Sequence, residues 1–163
     1  MSRRTRSVRR EIDPDPKFQN ETVARFINYL MIDGKKSVAQ SVVYEAFDIV
    51  AEKTKMDPIE IFERALRNVS PSLEVKGRRV GGANYQVPFE VKGTRKQMLA
   101  FRWILESARG KSGKAMSDRL ASELMAASKE EGGAIAKRED VQRQAEANKA
   151  FAHFARPRTK KRF

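Results

Sequence analysis

Between Leu73 and Val91 apolar and polar residues alternate, while on both sides of that stretch the apolar residues recur every three or four positions. Leu73 and Val75 alternate with Glu74 and Lys76, and Tyr85, Val87, Phe89 and Val91 alternate with Gln86, Pro88 and Glu90. A period of two keeps the apolar side chains of a strand on one face, and a period near 3.6 does the same for a helix. The change of period therefore predicts a β-hairpin set into a helical chain, with Gly81-Gly82-Ala83-Asn84 as its turn signal. Pro88 is tolerated because both strands of a two-stranded ribbon are edges. The expected fold is mostly α, with about six helices in one domain and a two-stranded β-hairpin protruding between the third and fourth helices.

Asn20 is a plausible N-cap for the first helix, whose stripe is Val23, Phe26, Ile27, Leu30 and Met31. Asp33-Gly34 should stop it. A second helix is expected from about Ser37 to Lys53, with Ala39, Val42, Val43, Ala46, Ile49 and Val50 inward. Asp57 caps a third, with Pro58 at its first position, Glu60 completing a capping box, and Ile59, Phe62, Leu66 and Val69 buried. Beyond the hairpin, Thr94 and Gln97 make a second capping-box pattern. Met98, Phe101, Ile104, Leu105 and Ala108 then face inward, and Trp103 serves helix packing. Gly110 to Gly113 reads as a loop. A fifth helix carries Met116, Leu120, Leu124 and Ala127, and a weakly amphipathic sixth spans about 134–154.

The net charge is +13, from 34 Lys and Arg against 21 Asp and Glu, and it is unevenly placed. Arg3, Arg4, Arg6, Arg9 and Arg10 crowd the first ten residues, and five more bases lie in 156–163. Residues 73–119 hold eleven bases against four acids, while the rest of the chain is mildly acidic. The expected organisation is a basic extended N-terminal arm over 1–17, a helical body over 18–154 with its ribbon at about 72–91, and a basic C-terminal tail over 155–163. Two basic ends and one basic stretch in one small chain point to a polyanionic partner, since phosphates neutralised by Lys and Arg release their counterions.

Catalytic chemistry has little to work with. There is no cysteine, and the single histidine, His153, has no evident Ser or Cys partner. Gly110-Lys111-Ser112 resembles the end of a phosphate-binding loop, but the glycine required five residues earlier is Leu105. No metal, cofactor or acid/base pair is implied, and the chain is not expected to be an enzyme. No apolar run approaches the ~20 residues of a membrane span, and no apolar stretch follows Met1 to Arg10 as a secretory signal would require. The expected compartment is cytoplasmic.

The hairpin tip, 77–84, reads Gly-Arg-Arg-Val-Gly-Gly-Ala-Asn and cannot serve as core. An isolated hairpin is marginal in water, so its base must pack on helices and its tip must find other support. Arg78 and Arg79 suggest a phosphate backbone, with Lys76 beside them. Tyr85 suits either stacking on a base or packing across the strands. Further basic residues flank loops: Lys35 and Lys36 after the first helix, Lys92, Arg95 and Lys96 at the start of the fourth, and Arg109, Lys111 and Lys114 around the glycine loop.

These residues, read in order, resemble the family of small-subunit ribosomal protein seven, in its bacterial or organellar form. The resemblance rests on four blocks: Pro14-Asp15-Pro16; Phe26-Ile27-Asn28 with Met31 and Gly34-Lys35-Lys36; Pro71 to Lys76 with Gly81 to Pro88; and Glu146 to His153. It implies a helical body with a protruding ribbon, and primary binding to the 3′ domain of small-subunit ribosomal RNA, which forms the subunit's head. It also implies nucleation of head assembly and a place at the subunit interface near the exit-site transfer RNA and messenger RNA, with small-subunit protein eleven as neighbour. Location in the ribosome, cytoplasmic or in an organellar matrix, follows from it. Carried over by position, RNA contact is expected from the N-terminal arm, Lys35, Lys36, Arg78, Arg79 and the basic loops around Arg95 and Lys114. Bacterial members often finish soon after the position of His153, so the basic run from Ala155 to Phe163 departs from the pattern.

Two other classes compete. A DNA-binding regulator would lay ribbon or helix in a groove, but only Asn84 and Gln86 could read bases on this ribbon. An RNA-processing enzyme lacks a nucleophile, a metal cluster and an acid/base constellation.

Overall fold

The computed structural model describes residues 11–155. Its helices are α1 (Glu21–Leu30), α2 (Lys36–Thr54), α3 (Pro58–Val69), α4 (Thr94–Gly110), α5 (Met116–Ser128) and α6 (Gly133–Ala147), followed by a 3₁₀ segment, Lys149–Ala155. Strands β1 (Leu73–Val80) and β2 (Ala83–Glu90) pair antiparallel between α3 and α4. The expected mostly-α class with one inserted ribbon is what the structure shows. The described residues group into two compact units, one ending at Ser41 and one beginning at Val42, whose boundary falls within α2.

In the first unit, Asp15 is buried and organises a turn. Its Oδ2 accepts from the amides of Lys17 and Phe18, both at 3.1 Å. A carboxylate that satisfies consecutive amides stands in for a backbone turn, so the chain turns here; residues 1–10 of the arm expected over 1–17 lie outside the described residues. Asn20 caps α1 as expected, accepting from Thr22 N at 2.7 Å. Val23, Phe26, Ile27 and Leu30 are buried. Met31 is the C-cap, so α1 stops before Asp33-Gly34, and those two residues instead take left-handed φ values of 54° and 71° in the turn to α2.

In the second unit, Val43, Ala46, Phe47 and Val50 of α2 are buried, and the Phe47 ring meets Phe62 of α3 at 5.4 Å. Asp57 caps α3 through Ile59 N at 2.9 Å. Its buried face is Ile61, Phe62, Ala65, Leu66 and Val69. Ile59 is only half-buried, as are Val42, Ile49, Met98 and Met116, because each lies at the flank of its stripe. Asn68 of α3 donates to the carbonyls of Ala127 and Ser128 at 3.0 and 3.1 Å, capping the end of α5. Its own carbonyl accepts from Arg138 of α6. Trp103 is buried on α4, as expected.

Two sequence expectations fail here. Thr94 is not the N-cap of α4: that position is Gly93, with φ 51°, and no side chain caps it. The helix starts one residue early, which places the Thr94 side chain inside the first turn. The expected last helix, about 134–154, is broken at Asn148, whose Nδ2 donates to Gln144 O at 2.8 Å. Asparagine competes with the helix for its own carbonyls, and the chain continues as a 3₁₀ segment.

The ribbon turn is tighter than its four-residue signal. Val80 pairs with Ala83, leaving Gly81-Gly82 as a two-residue loop with φ 57° and 93°. Positive φ at both central positions is the geometry that matches the twist of a hairpin, and glycine supplies it without strain. The base of the ribbon packs on α6, and β2 also packs on the 3₁₀ segment.

Candidate nucleic-acid interface

Residues directly opposite in an antiparallel pair share a face. Arg78 pairs with Tyr85, Lys76 with Val87 and Glu74 with Phe89, so these lie on one face. Arg79 pairs with Asn84 and Gly77 with Gln86, on the other. Arg78 and Arg79 therefore point to opposite sides of the tip. The Arg78 guanidinium donates to the carbonyl of Phe154 in the 3₁₀ segment. Tyr85 packs its ring on Phe151 at 5.0 Å and Phe154 at 5.4 Å. The packing alternative for Tyr85 is thus realised, although its partners are on the 3₁₀ segment and not across the strands. Arg79, Asn84 and Gln86 are exposed.

Several nominated cations already have carboxylate partners. Lys76 and Arg95 both bind Glu74, Arg95 Nη2 at 2.9 Å. Lys92 meets Glu90 at 3.1 Å, in a solvated pair worth little. Lys111 Nζ lies 2.7 Å from Oε2 of Glu123, which is fully buried. Lys111 thus serves a core carboxylate of α5, and a phosphate-binding role for Gly110-Lys111-Ser112 finds no support.

Burial alone would raise the Glu74 carboxyl. The hydrogen bonds and charges of Lys76 and Arg95 outweigh it and hold the group below its ordinary value of 4.5. A depressed carboxylate pKa stabilises the fold above the unfolded-state value, and that contribution is lost as pH falls through the folded value. The expected result is that the gap in thermal midpoint between wild type and Glu74→Gln is full near neutrality and narrows below about pH 4.5. A gap independent of pH in melts from pH 7 to 3 would show that the charge on Glu74 stabilises nothing.

Lys35 and Lys36 are exposed at the α1–α2 turn, and Lys114 is exposed before α5. Lys92, Arg95 and Lys96 gather at the start of α4, where no acidic residue or side-chain cap occupies the first turn. Helix N-termini carry a partial positive charge, so cations there repel the helix dipole unless an anion joins them; Glu74 is that anion for Arg95 and Glu90 for Lys92. Along α4, Arg95, Arg102 and Arg109 recur every seven residues and so fall on one side of the helix. Arg102 is exposed and escaped the sequence reading. Its sequence signal is that seven-residue spacing, which lies within a helix and away from the loops. Arg3, Arg4, Arg6, Arg9, Arg10 and the tail bases of 156–163 lie outside the described residues.

Among the described residues no three acidic, His or Cys side chains gather as metal ligands, and no helix is long and apolar enough to cross a membrane. Helices with a buried apolar core that carry bases on a ribbon, a helix flank and loops fit a polyanion-binding class of protein.

Within that class the chain belongs to the ribosomal protein S7p/S5e family, whose model matches residues 2–149. Among curated proteins it is similar to the small ribosomal subunit protein uS7 of Teredinibacter turnerae, at 56% identity over 154 residues, covering 94% of this chain and 99% of that one. Similarity to the protein of the same name from Afipia carboxidovorans is 54% over the same coverage. The resemblance read from the four sequence blocks is thereby shown, and the family is a structural, non-enzymatic one.

Proposed function

We propose that this chain is a structural protein of the small ribosomal subunit that binds the 3′ domain of its ribosomal RNA and nucleates assembly of the head. The observation that carries the reading is the family match over nearly the whole chain, joined to relatives named as small-subunit proteins. The RNA-facing groups are the N-terminal arginines, Lys35 and Lys36, Arg79 and Lys76 of the ribbon, whose direction Arg78 and Tyr85 hold through the 3₁₀ segment, the α4 cluster of Lys92, Arg95 and Lys96, and the loop bases Arg109, Lys111 and Lys114. Arg102 joins them by its place on α4. Lys76, Arg95 and Lys111 act partly through the carboxylates they hold. The ribbon lies near exit-site transfer RNA and messenger RNA, with small-subunit protein eleven as neighbour, and the working location is the ribosome.

Recognition rests on phosphates and RNA shape, since A-form helices hide their major-groove edges. Footprinting the purified protein on small-subunit ribosomal RNA tests this, with a titration against duplex DNA alongside. Protection confined to the 3′ domain, and tighter binding to RNA than to DNA, is the expected outcome. Equal or stronger binding to DNA would favour the regulator reading, and specific cleavage of the RNA would revive the enzyme reading.

A further inference from the structure

The two faces of the ribbon tip differ in what they have left to offer. On one, Arg78 is committed to the Phe154 carbonyl and Tyr85 to the rings of Phe151 and Phe154, and both side chains are half-buried. On the other, Gly77, Arg79, Asn84 and Gln86 are all exposed, and the side chains of Arg79, Asn84 and Gln86 have no hydrogen-bond or ion-pair partner among the described residues. We propose that the 3₁₀ segment Lys149–Ala155 is a brace that fixes the direction of the ribbon, with Arg78 and Tyr85 as positioning residues, and that the opposite face of Gly77, Arg79, Asn84 and Gln86 makes the RNA contact. The proposal rests on the reading of the ribbon as an RNA-binding element.

The physical case has two parts. A two-stranded ribbon has no neighbouring strand to hold its tip and bends on its base unless something packs on one face. Two aromatic contacts and one guanidinium–carbonyl bond, all within the outer half of the ribbon, supply that support. An aimed ribbon loses less freedom when it binds, which strengthens binding without a new contact. The free face suits RNA chemically. It has one guanidinium, two amides that each offer a donor and an acceptor, and a glycine that lets a strand approach the backbone. Amides pair with base edges and 2′-hydroxyls, so this face reads nucleotides more than it neutralises phosphates.

The test uses the full chain, with small-subunit ribosomal RNA as the probe and three readouts: affinity at fixed salt, the salt slope of affinity, and amide exchange over 149–155. Arg78→Ala and Tyr85→Ala are expected to speed exchange in that segment about ten-fold, because they release a locally held unit. They should weaken binding about two- to five-fold and leave the salt slope unchanged, because ordering is lost and no phosphate contact is. Tyr85→Phe keeps the ring and should behave as wild type. The combined Arg79→Ala, Asn84→Ala and Gln86→Ala protein should leave exchange unchanged and bind about ten-fold or more weakly.

If Arg78→Ala lowered the slope by about 0.7–0.9 while exchange stayed at the wild-type rate, Arg78 would itself touch phosphate and the division of faces would be overturned. If the triple variant bound RNA as wild type while the Arg78 and Tyr85 variants loosened the segment, the brace would stand and the RNA-binding reading of the ribbon would fail.

Discussion

Glu123→Ala lowers the unfolding free energy by about 2–4 kcal/mol, the sum expected for an emptied core site and an orphaned backbone donor. Glu123 is fully buried on α5, its Oε1 accepts from Ala134 N at 2.9 Å, and its Oε2 faces Lys111 Nζ at 2.7 Å. It therefore ties the start of α6 and the α4–α5 loop to the middle of α5. Two glycines let the helix start come close. A Cβ on Gly133 would sit 2.4 Å from Ser107 Oγ, and one on Gly132 would sit 3.1 Å from Glu123 Oε1. Glu123→Ala removes the acceptor for an amide in the first turn of α6 and empties a packed site, while Lys111, already half in solvent, returns to water. For a chain of this size the midpoint should fall by about 5–15 °C.

Glu123→Gln keeps an acceptor for Ala134 and should cost less. Glu106→Ala is the control: its pair with Lys137 spans 3.9 Å between exposed side chains and should be worth about 0–1 kcal/mol. Equal midpoints for the Glu123 and Glu106 variants in a thermal melt would show that the buried carboxylate holds nothing together.

That carboxylate also marks how far the sequence could be read. Leu120, Leu124 and Ala127 were legible as the α5 stripe because periodicity reports which face is buried. Glu123 falls inside the same stripe, three residues after Leu120, where spacing alone does not tell it from a solvated acid. An acid at an apolar position implies a buried partner, yet nothing in the sequence names Lys111 or the Ala134 amide, which reach it only through tertiary packing. The ribbon shows the same division. Its existence, bounds and place between the third and fourth helices follow from the period-two pattern, and Asn20 and Asp57 behave as the local caps they resemble. The opposite directions of Arg78 and Arg79 follow from strand geometry once the register is known. The partner of Arg78 does not, because Phe154 lies 76 residues away and the break at Asn148 that brings it back is a local competition at one asparagine. For the interface, composition located the basic zones, but which cations are already paired became visible only when Glu74, Glu90 and Glu123 took their places.

Those pairings shape the largest effect expected of this protein in solution. Affinity for small-subunit ribosomal RNA should fall by about 10³-fold or more between 50 and 200 mM salt, as for proteins that neutralise about six to ten phosphates. Each neutralised phosphate adds about −0.7 to −0.9 to the slope of log K against log salt. Not every lysine counts alike. Lys36 is exposed at the start of α2 with no carboxylate partner among the described residues, whereas Lys92 sits beside Glu90. A cation that already faces a carboxylate brings less net charge to the RNA, so Lys92→Ala should change the slope less than Lys36→Ala, which should reduce it by close to one phosphate's worth. Filter binding at four or five salt concentrations reads both quantities. A flat dependence would mean that the charge of +13 is not what holds this chain to RNA. Equal slope changes for the two lysines would mean that the carboxylate beside Lys92 swings away on binding and leaves it as free as Lys36.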